Sequence, residues 1–462
     1  MNTLVLAGLL GYVAVQFVIG ALVSRRMANE QDYILAGRSL GTALVAFSVF
    51  ATWFGAEAIV ASAGEIYDKG LAGALTDPFG YGLAVVIVAL LIAAPLRRRN
   101  AVTFADVIRE RYSDTVEKLF VLVLLPGSVF WAAAQIRAFG QILASGSGLD
   151  LRTTLLIAAV LVAGYSVVGG LLADAITDVV QGVAVIIGLV VLVAFVAAKL
   201  DGIGPALASV APERLDPLAA GEDGITGKME KLVIVIGGSL VSVELISRFL
   251  GSRSVAVART GTLIGGLMYL AIGLMPLFLG LVGPQVIKDL PESEQIVPRL
   301  AEALLPPFAY ALFLGALVSA ILSVVHAALH APAAQLSHNV INRVAPGLSD
   351  KGRLNSVRLC VFGLSVVAYL LAAGFERIKE LVEIASAFGS AGAFVVAMFG
   401  IFTRFGGPAS AALSLIVGIV AWVIAKYGFE VKLPYLTGLG AAFAVYVVVA
   451  LIETRARLAG RP

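Results

Sequence analysis

Charge is what this 462-residue chain has least of: only 14% of its residues are Asp, Glu, Lys or Arg. Soluble domains average about 25%. Of the whole chain 60% is hydrophobic, the mean hydropathy is +0.97, and the charge is missing chiefly from a series of long apolar runs. Cysteine is almost absent. The single Cys360 lies inside an apolar run, so no intramolecular disulfide can form and redox chemistry does not identify the compartment. No phosphate-binding glycine loop and no nucleophile-elbow motif occurs. Neither enzyme activity nor an organic cofactor or metal is therefore expected. The net charge of +3 comes from basic residues in loops and is no nucleic-acid footprint. The expected partners are a small-molecule solute and the lipid bilayer, with no nucleic acid; a protein partner is left open.

A bilayer core about 30 Å thick needs roughly 20 apolar residues per helical span. Thirteen spans account for the apolar runs: 3–23, 40–62, 72–96, 118–144, 153–172, 174–198, 228–250, 256–284, 306–340, 356–375, 380–403, 407–426 and 434–453. The fold class expected is an all-α polytopic membrane protein. The first run lacks a basic leader and a small-residue cleavage motif, so it reads as a retained span. Lys and Arg cluster in alternate loops: Arg25-Arg26, Arg97 to Arg99, Arg253 with Arg259, Arg343 to Arg358, Arg404, and the tail to Arg461. The opposite set includes an acidic loop, 199–227, with Asp201, Glu213, Asp216, Glu222 and Asp223. Positive loops stay inside. This places the N-terminus outside and the C-terminus in the cytoplasm, in a bacterial-type cytoplasmic (inner) membrane.

Spans two to six and seven to eleven form two five-helix blocks of similar length. Five is odd, so the second block starts from the opposite side of the membrane and the repeat is inverted. The organisation expected is a peripheral helix and loop (1–39), a first repeat (40–200), an extracytoplasmic loop (201–227), a second repeat (228–404) and two peripheral helices with a tail (405–462). Thr52-Trp53-Phe54-Gly55 interrupts the second span, and Gly237-Gly238-Ser239 the seventh. Broken helices at matching places in two repeats point to a midplane binding site.

Intramembrane carboxylates mark pathways by default. Glu57 just past the first break and Glu244 on the broken seventh span could balance a cationic substrate or carry a proton. Trp usually sits at the interface, yet Trp53 and Trp131 lie about 13 residues into their spans and Tyr81 is mid-span. Three aromatics at one depth could stack around a cation. Trp422 falls outside the ten-helix core and reads as packing, and Arg137 reads as snorkelling to the interface. His326 and His330 are four apart, a metal-ligand spacing, but no third ligand is evident, and two polar residues facing a wet cavity are expected.

Gly169-Gly170-Leu-Leu-Ala-Asp174-Ala-Ile-Thr177-Asp178-Val-Val-Gln181, with the entry Asp32-Tyr33-Ile-Leu-Ala-Gly37-Arg38-Ser39-Leu40 and Arg248, resembles the hallmark of the sodium/solute symporter family. The resemblance covers about residues 30–400 and implies a leucine-transporter-type 5+5 inverted repeat that works by alternating access. Ala51-Thr52-Trp53, Gly80-Tyr81, Ala94-Pro95-Leu96 and Phe130-Trp131-Ala-Ala-Ala134 are most similar to the high-affinity choline transporter branch. That similarity implies an aromatic cage from Trp53, Tyr81 and Trp131, with Ser242 where a further cage tryptophan would align. It also implies a sodium site from the carbonyls of Ala51, Phe54 and Ala320 and the hydroxyl of Ser323, with Asp178 on the ion-exit path. Here Val324 replaces a second hydroxyl and His326 an aspartate. The resemblance implies sodium coupling, and these departures point to a proton or to no coupling ion, with His326 and a carboxylate as candidates. The function expected is secondary active import of a small organic solute such as a cationic or zwitterionic amine. The alternatives are a transporter-like sensor with a separate signalling partner, since the chain ends at Pro462 soon after its last span, and an uncoupled facilitator.

Overall fold

An apolar helix satisfies its own backbone groups inside a bilayer, and long apolar helices dominate the chain. The computed structural model describes residues 11, 14–19, 22–23, 29–218, 224–375 and 377–459. The expected first span (3–23) falls largely outside them, as do Arg25, Arg26, Glu222, Asp223 and Arg461. Among the described residues, eleven helices are long and apolar enough to cross a membrane, the first being Glu57–Arg98 and the last Pro434–Ala456. The expected second span adds the shorter apolar helix Thr42–Trp53 and continues beyond its break into the start of Glu57–Arg98. The third span occupies the rest of that run, beyond a sharp turn at Gly70 (φ 63°). There are no strands among the described residues; one isolated bridge joins Leu40 to Ser252.

The helix Pro307–Gln335 is buried without interruption from Phe313 to Gln335. Around it pack Asp114–Ser147, Leu171–Lys199 and Asp350–Gly374. Leu171–Lys199 shows how burial is decided by face. Asp174, Thr177, Asp178, Gln181 and Val185 point inward at helical spacing, while Val180, Val183, Ile187 and Val190 stay exposed on the opposite side, where lipid would cover them. Thr42–Trp53 lies against a small-residue face of Val255–Val286. A Cβ on Gly261 would sit 2.7 Å from Val45 Cβ, and one on Gly265 would sit 2.8 Å from the Ala46 carbonyl oxygen. Small residues at such crossings let the backbones approach. Pro408–Val423 and Pro434–Ala459 pair with each other and pack on Ser390–Phe402, with smaller direct contacts to Asp114–Ser147 and Gly224–Leu240.

Candidate functional site

Two interruptions in the helices create the site. Thr42–Trp53 ends where Phe54 leaves helical geometry (φ −94°, ψ 67°), and the chain resumes as a wide turn at Glu57–Ala61. Gly55 is required there: a Cβ would lie 2.7 Å from Val324 Cγ2 and 2.8 Å from Glu57 Oε2. The second interruption lies at Val241-Ser242, between Gly224–Leu240 and Val243–Leu250, with the Ser242 hydroxyl capping the second piece by accepting from Leu245 N at 3.3 Å. This corrects the expected break at Gly237-Gly238-Ser239, which stays helical. Those glycines serve close packing instead: a Cβ would meet the Tyr435 hydroxyl at 2.8 Å from Gly237, and the Ser386 carbonyl oxygen at 2.9 Å from Gly238.

Between the interruptions lies a cavity with about 690 Å³ of open space. Trp53, Tyr81 and Trp131 all line it, as do Glu57, Ser242 and Glu244. Trp53 meets Trp131 edge-on at 5.2 Å between ring centroids and Tyr81 at 6.5 Å. Glu57 is 8% exposed and accepts from Trp131 Nε1 at 2.8 Å and Gln135 Nε2 at 2.6 Å. One carboxylate thus fixes both an aromatic wall and the glutamine one turn beyond it. Ser242 donates to Glu244 Oε2 at 2.6 Å, while Glu244 Oε1 is buried without a hydrogen-bond partner. No Lys, Arg or His is among the residues lining this cavity. A wider vestibule of about 1260 Å³ shares Glu57, Tyr81, Val235 and Ser386 with it.

Below the first interruption is a separate buried polar network. Asp178, with no exposure, accepts from Ser48 Oγ at 2.5 Å and from Ser323 Oγ. Arg248 pairs with Asp174 and lies 4.0 Å from Asp178. His326 Nε2 is 3.8 Å from Asp174, and its ring stacks on His330 at 5.3 Å. His330 Nε2 lies 3.1 Å from the Tyr33 carbonyl oxygen. Burial drives the Tyr33 phenol well above its usual range, so it stays a donor, to the Ser166 carbonyl at 3.1 Å.

The expected site residues therefore fall into two groups. The six substrate candidates share one cavity, whereas Ser323, Asp178 and His326 belong to the polar network. Ala51 and Phe54 flank the end of the broken helix, and Ala320 lies one turn before Ser323. Two expectations change. His326 does not face a wet cavity: it is fully buried, and neither ring nitrogen has a hydrogen-bond partner. Arg137 does not snorkel to an interface, because its Nη1 donates at 2.9 Å to Ala372 O at the end of Asp350–Gly374. Trp422 does pack, edge-on to Phe388 at 5.9 Å, and also lines the vestibule.

Sequence reasoning missed Asp77, Gln135, Tyr269 and Ser386. Tyr269 donates to Asp77 Oδ1 at 2.9 Å, and Tyr81 and Ser386 share a 3.2 Å hydrogen bond. Asp77 carried a signal, a carboxylate before Pro78 at the mouth of an apolar run; Tyr269 and Ser386 had none beyond being polar in a span.

A family model described as the sodium:solute symporter family matches residues 33–418. The chain is 25% identical over 411 residues to high-affinity choline transporter 1 of Caenorhabditis elegans, covering 81% of this chain and 71% of that one. It is 25% identical to the human high affinity choline transporter 1 over 359 residues, 74% of this chain but only 62% of the relative. The sodium/pantothenate symporter of Escherichia coli (strain K12) is 27% identical over 388 residues, with 81% and 80% covered. Among solved structures, a substrate-bound outward-open Na+-coupled sialic acid symporter superposes with a TM-score of 0.86 at 18% identity, covering 97% and 98%. A nucleobase-cation-symport-1 family transporter in a closed conformation gives 0.62 at 14%, covering 92% and 95%. These structures share the inverted-repeat transporter fold.

Proposed function

The chain belongs to the sodium:solute symporter family, and from that premise we propose that it imports a small organic ammonium solute, choline-like in having a compact cationic head, by ion-coupled alternating access. It is a multi-pass membrane protein and a secondary symporter, not an enzyme. The observation that carries the substrate class is the lining of the inner cavity: five aromatic side chains, Trp53, Tyr81, Trp131, Tyr269 and Phe388, two carboxylates and no basic residue. Aromatic faces attract cations by about 0.5–2 kcal/mol each when partly desolvated. A buried carboxylate without a counter-ion is costly, and a cationic solute would supply that counter-ion. An anionic solute would meet two carboxylates in a low-dielectric site. The choline transporters among the relatives support the same class, and the pantothenate symporter keeps the family's breadth in view.

Sodium is the coupling ion that the family as a whole suggests. The polar network supports a proton for this chain. Asp174 and Asp178 share one guanidinium, that of Arg248, so one negative charge is unmatched in a fully buried setting. One monovalent positive charge would balance it. Of the two adjacent hydroxyls of the family's sodium site, only that of Ser323 is present, and it donates to Asp178; Val324 offers no side-chain oxygen. The basic loops support a cytoplasmic C-terminus, an orientation in which the vestibule opens on the outer face of the inner membrane. The sensor and facilitator readings gain nothing from these relatives.

A thermal-shift screen of amines, amino acids and short carboxylates, each with and without sodium, tests the substrate class. Stabilisation by quaternary or tertiary amines and not by carboxylates is the expected result. Uptake into proteoliposomes that needs a sodium gradient and ignores a pH gradient would refute proton coupling.

A further inference from the structure

The vestibule is lined by five carboxylates and three lysines. Lys432 and Glu383 are both exposed, and Lys426 is held over the Trp422 and Tyr427 rings at 5.4 and 5.5 Å. Glu65, Asp77 and Glu57 line the same space, the last two buried, with Asp77 in electrostatic contact with both glutamates. Glu65 already pairs with Lys69 at 2.9 Å, and Glu57 already accepts from Trp131 and Gln135. Asp77 differs. It is only 7% exposed, and Tyr269 donates to its Oδ1 while its Oδ2 makes no hydrogen bond. Its backbone is extended (φ −137°, ψ 123°) ahead of Pro78, and Ser62 Oγ donates to its carbonyl at 3.0 Å. The carboxylate is therefore held in place with one oxygen free, four residues before Tyr81, which lines both spaces.

The geometry points to Asp77 as a cation-docking residue outside the main cavity, where an organic ammonium ion pauses on Oδ2 before it reaches Tyr81, Trp53 and Trp131. This rests on the ammonium reading above. It adds a second binding position and assigns Asp77 to association rather than to final affinity. A fixed carboxylate in a low-dielectric mouth focuses the field felt by an incoming cation, and such focusing raises on-rates by about 10- to 1000-fold for whole charged clefts. For one carboxylate among three, the share is about 3- to 10-fold.

Stopped-flow tryptophan fluorescence on the purified full-length protein, with choline as the probe and the uncharged isostere 3,3-dimethyl-1-butanol as control, reads this directly. Asp77→Asn keeps an acceptor for the Tyr269 hydroxyl. It should slow choline association about 3- to 10-fold, flatten its ionic-strength dependence, and leave the dissociation rate and the control ligand unchanged. Asp77→Glu should restore most of the rate. Should Asp77→Asn fail to fold, Glu65→Gln at the mouth should slow choline association in the same sense by a smaller factor. An unchanged choline on-rate, or equal slowing of the neutral control, overturns the docking role and leaves the ammonium reading intact. A wild-type protein that binds no ammonium compound overturns both.

Discussion

Replacing Trp131 by Phe isolates the charge-dependent part of substrate binding. The substitution keeps an aromatic ring beside Trp53, 5.2 Å away edge-on, but deletes the indole N–H that reaches Glu57 Oε1 at 2.8 Å. Gln135 still donates to Oε2 at 2.6 Å, so Glu57 keeps one of its two side-chain donors. Two losses follow for a cationic ligand. The weaker face of Phe forfeits about 0.5–1 kcal/mol of cation–π attraction. A carboxylate released from one fixed donor is less well aimed at the ligand, which adds about 0.5–1 kcal/mol, below the 1.5–3 kcal/mol of a full hydrogen bond to a charged group. The sum, about 1–2 kcal/mol, corresponds to a roughly 5- to 30-fold rise in Kd. A neutral isostere feels only the small change in packing and should shift less than about threefold. Scintillation-proximity binding of labelled choline, competed by the isostere, measures both numbers. An unchanged choline affinity, or the same loss for the neutral compound, would refute the reasoning.

Three further substitutions probe the frame around the site. Arg248→Met leaves Asp174 and Asp178 buried together without their shared guanidinium, so it should lower the melting temperature and abolish gradient-driven accumulation; restoration of stability by Asp174→Asn in the same chain would identify charge imbalance as the cause. Gly265→Val drives a side chain into the Ala46 carbonyl and Val49, both at 2.8 Å from the Cβ position, and should cost about 1–3 kcal/mol or prevent folding, read as loss of the monodisperse peak in gel filtration. Asn339→Ala removes donors to Asp106 Oδ1 (3.0 Å) and to the fully buried Glu117 (2.7 Å) as well as the acceptor for Thr103, and should destabilise by about 2–4 kcal/mol while leaving ligand selectivity unchanged.

The sequence makes the scaffold legible because membrane insertion imposes a coarse rule, one long apolar helix per crossing, that each run obeys on its own. The first break was visible for the same reason: Thr52-Trp53-Phe54-Gly55 is locally unsuited to a helix, and Gly55 is needed where the backbone passes Val324 and Glu57. The second break was displaced because Gly237 and Gly238 answer to Tyr435 and Ser386, neighbours from distant segments, while the actual stop depends on the hydroxyl of Ser242. The aromatic and acidic cavity residues could be listed from depth alone. Their partners could not: Gln135 on Glu57 and Tyr269 on Asp77 depend on which faces meet after packing. His326 shows the same limit in reverse, since its polarity suggested water and its helix turned out to be the most enclosed of all.

Concentrative uptake decides whether this cavity serves a cation. Proteoliposomes containing the purified protein, with an inward proton gradient and labelled choline outside, should accumulate label above equilibrium. That accumulation should be blocked by excess quaternary amine and lost in Glu57→Gln. Unimpaired accumulation in Glu57→Gln, or competition by organic anions rather than amines, would contradict a carboxylate-lined cation site.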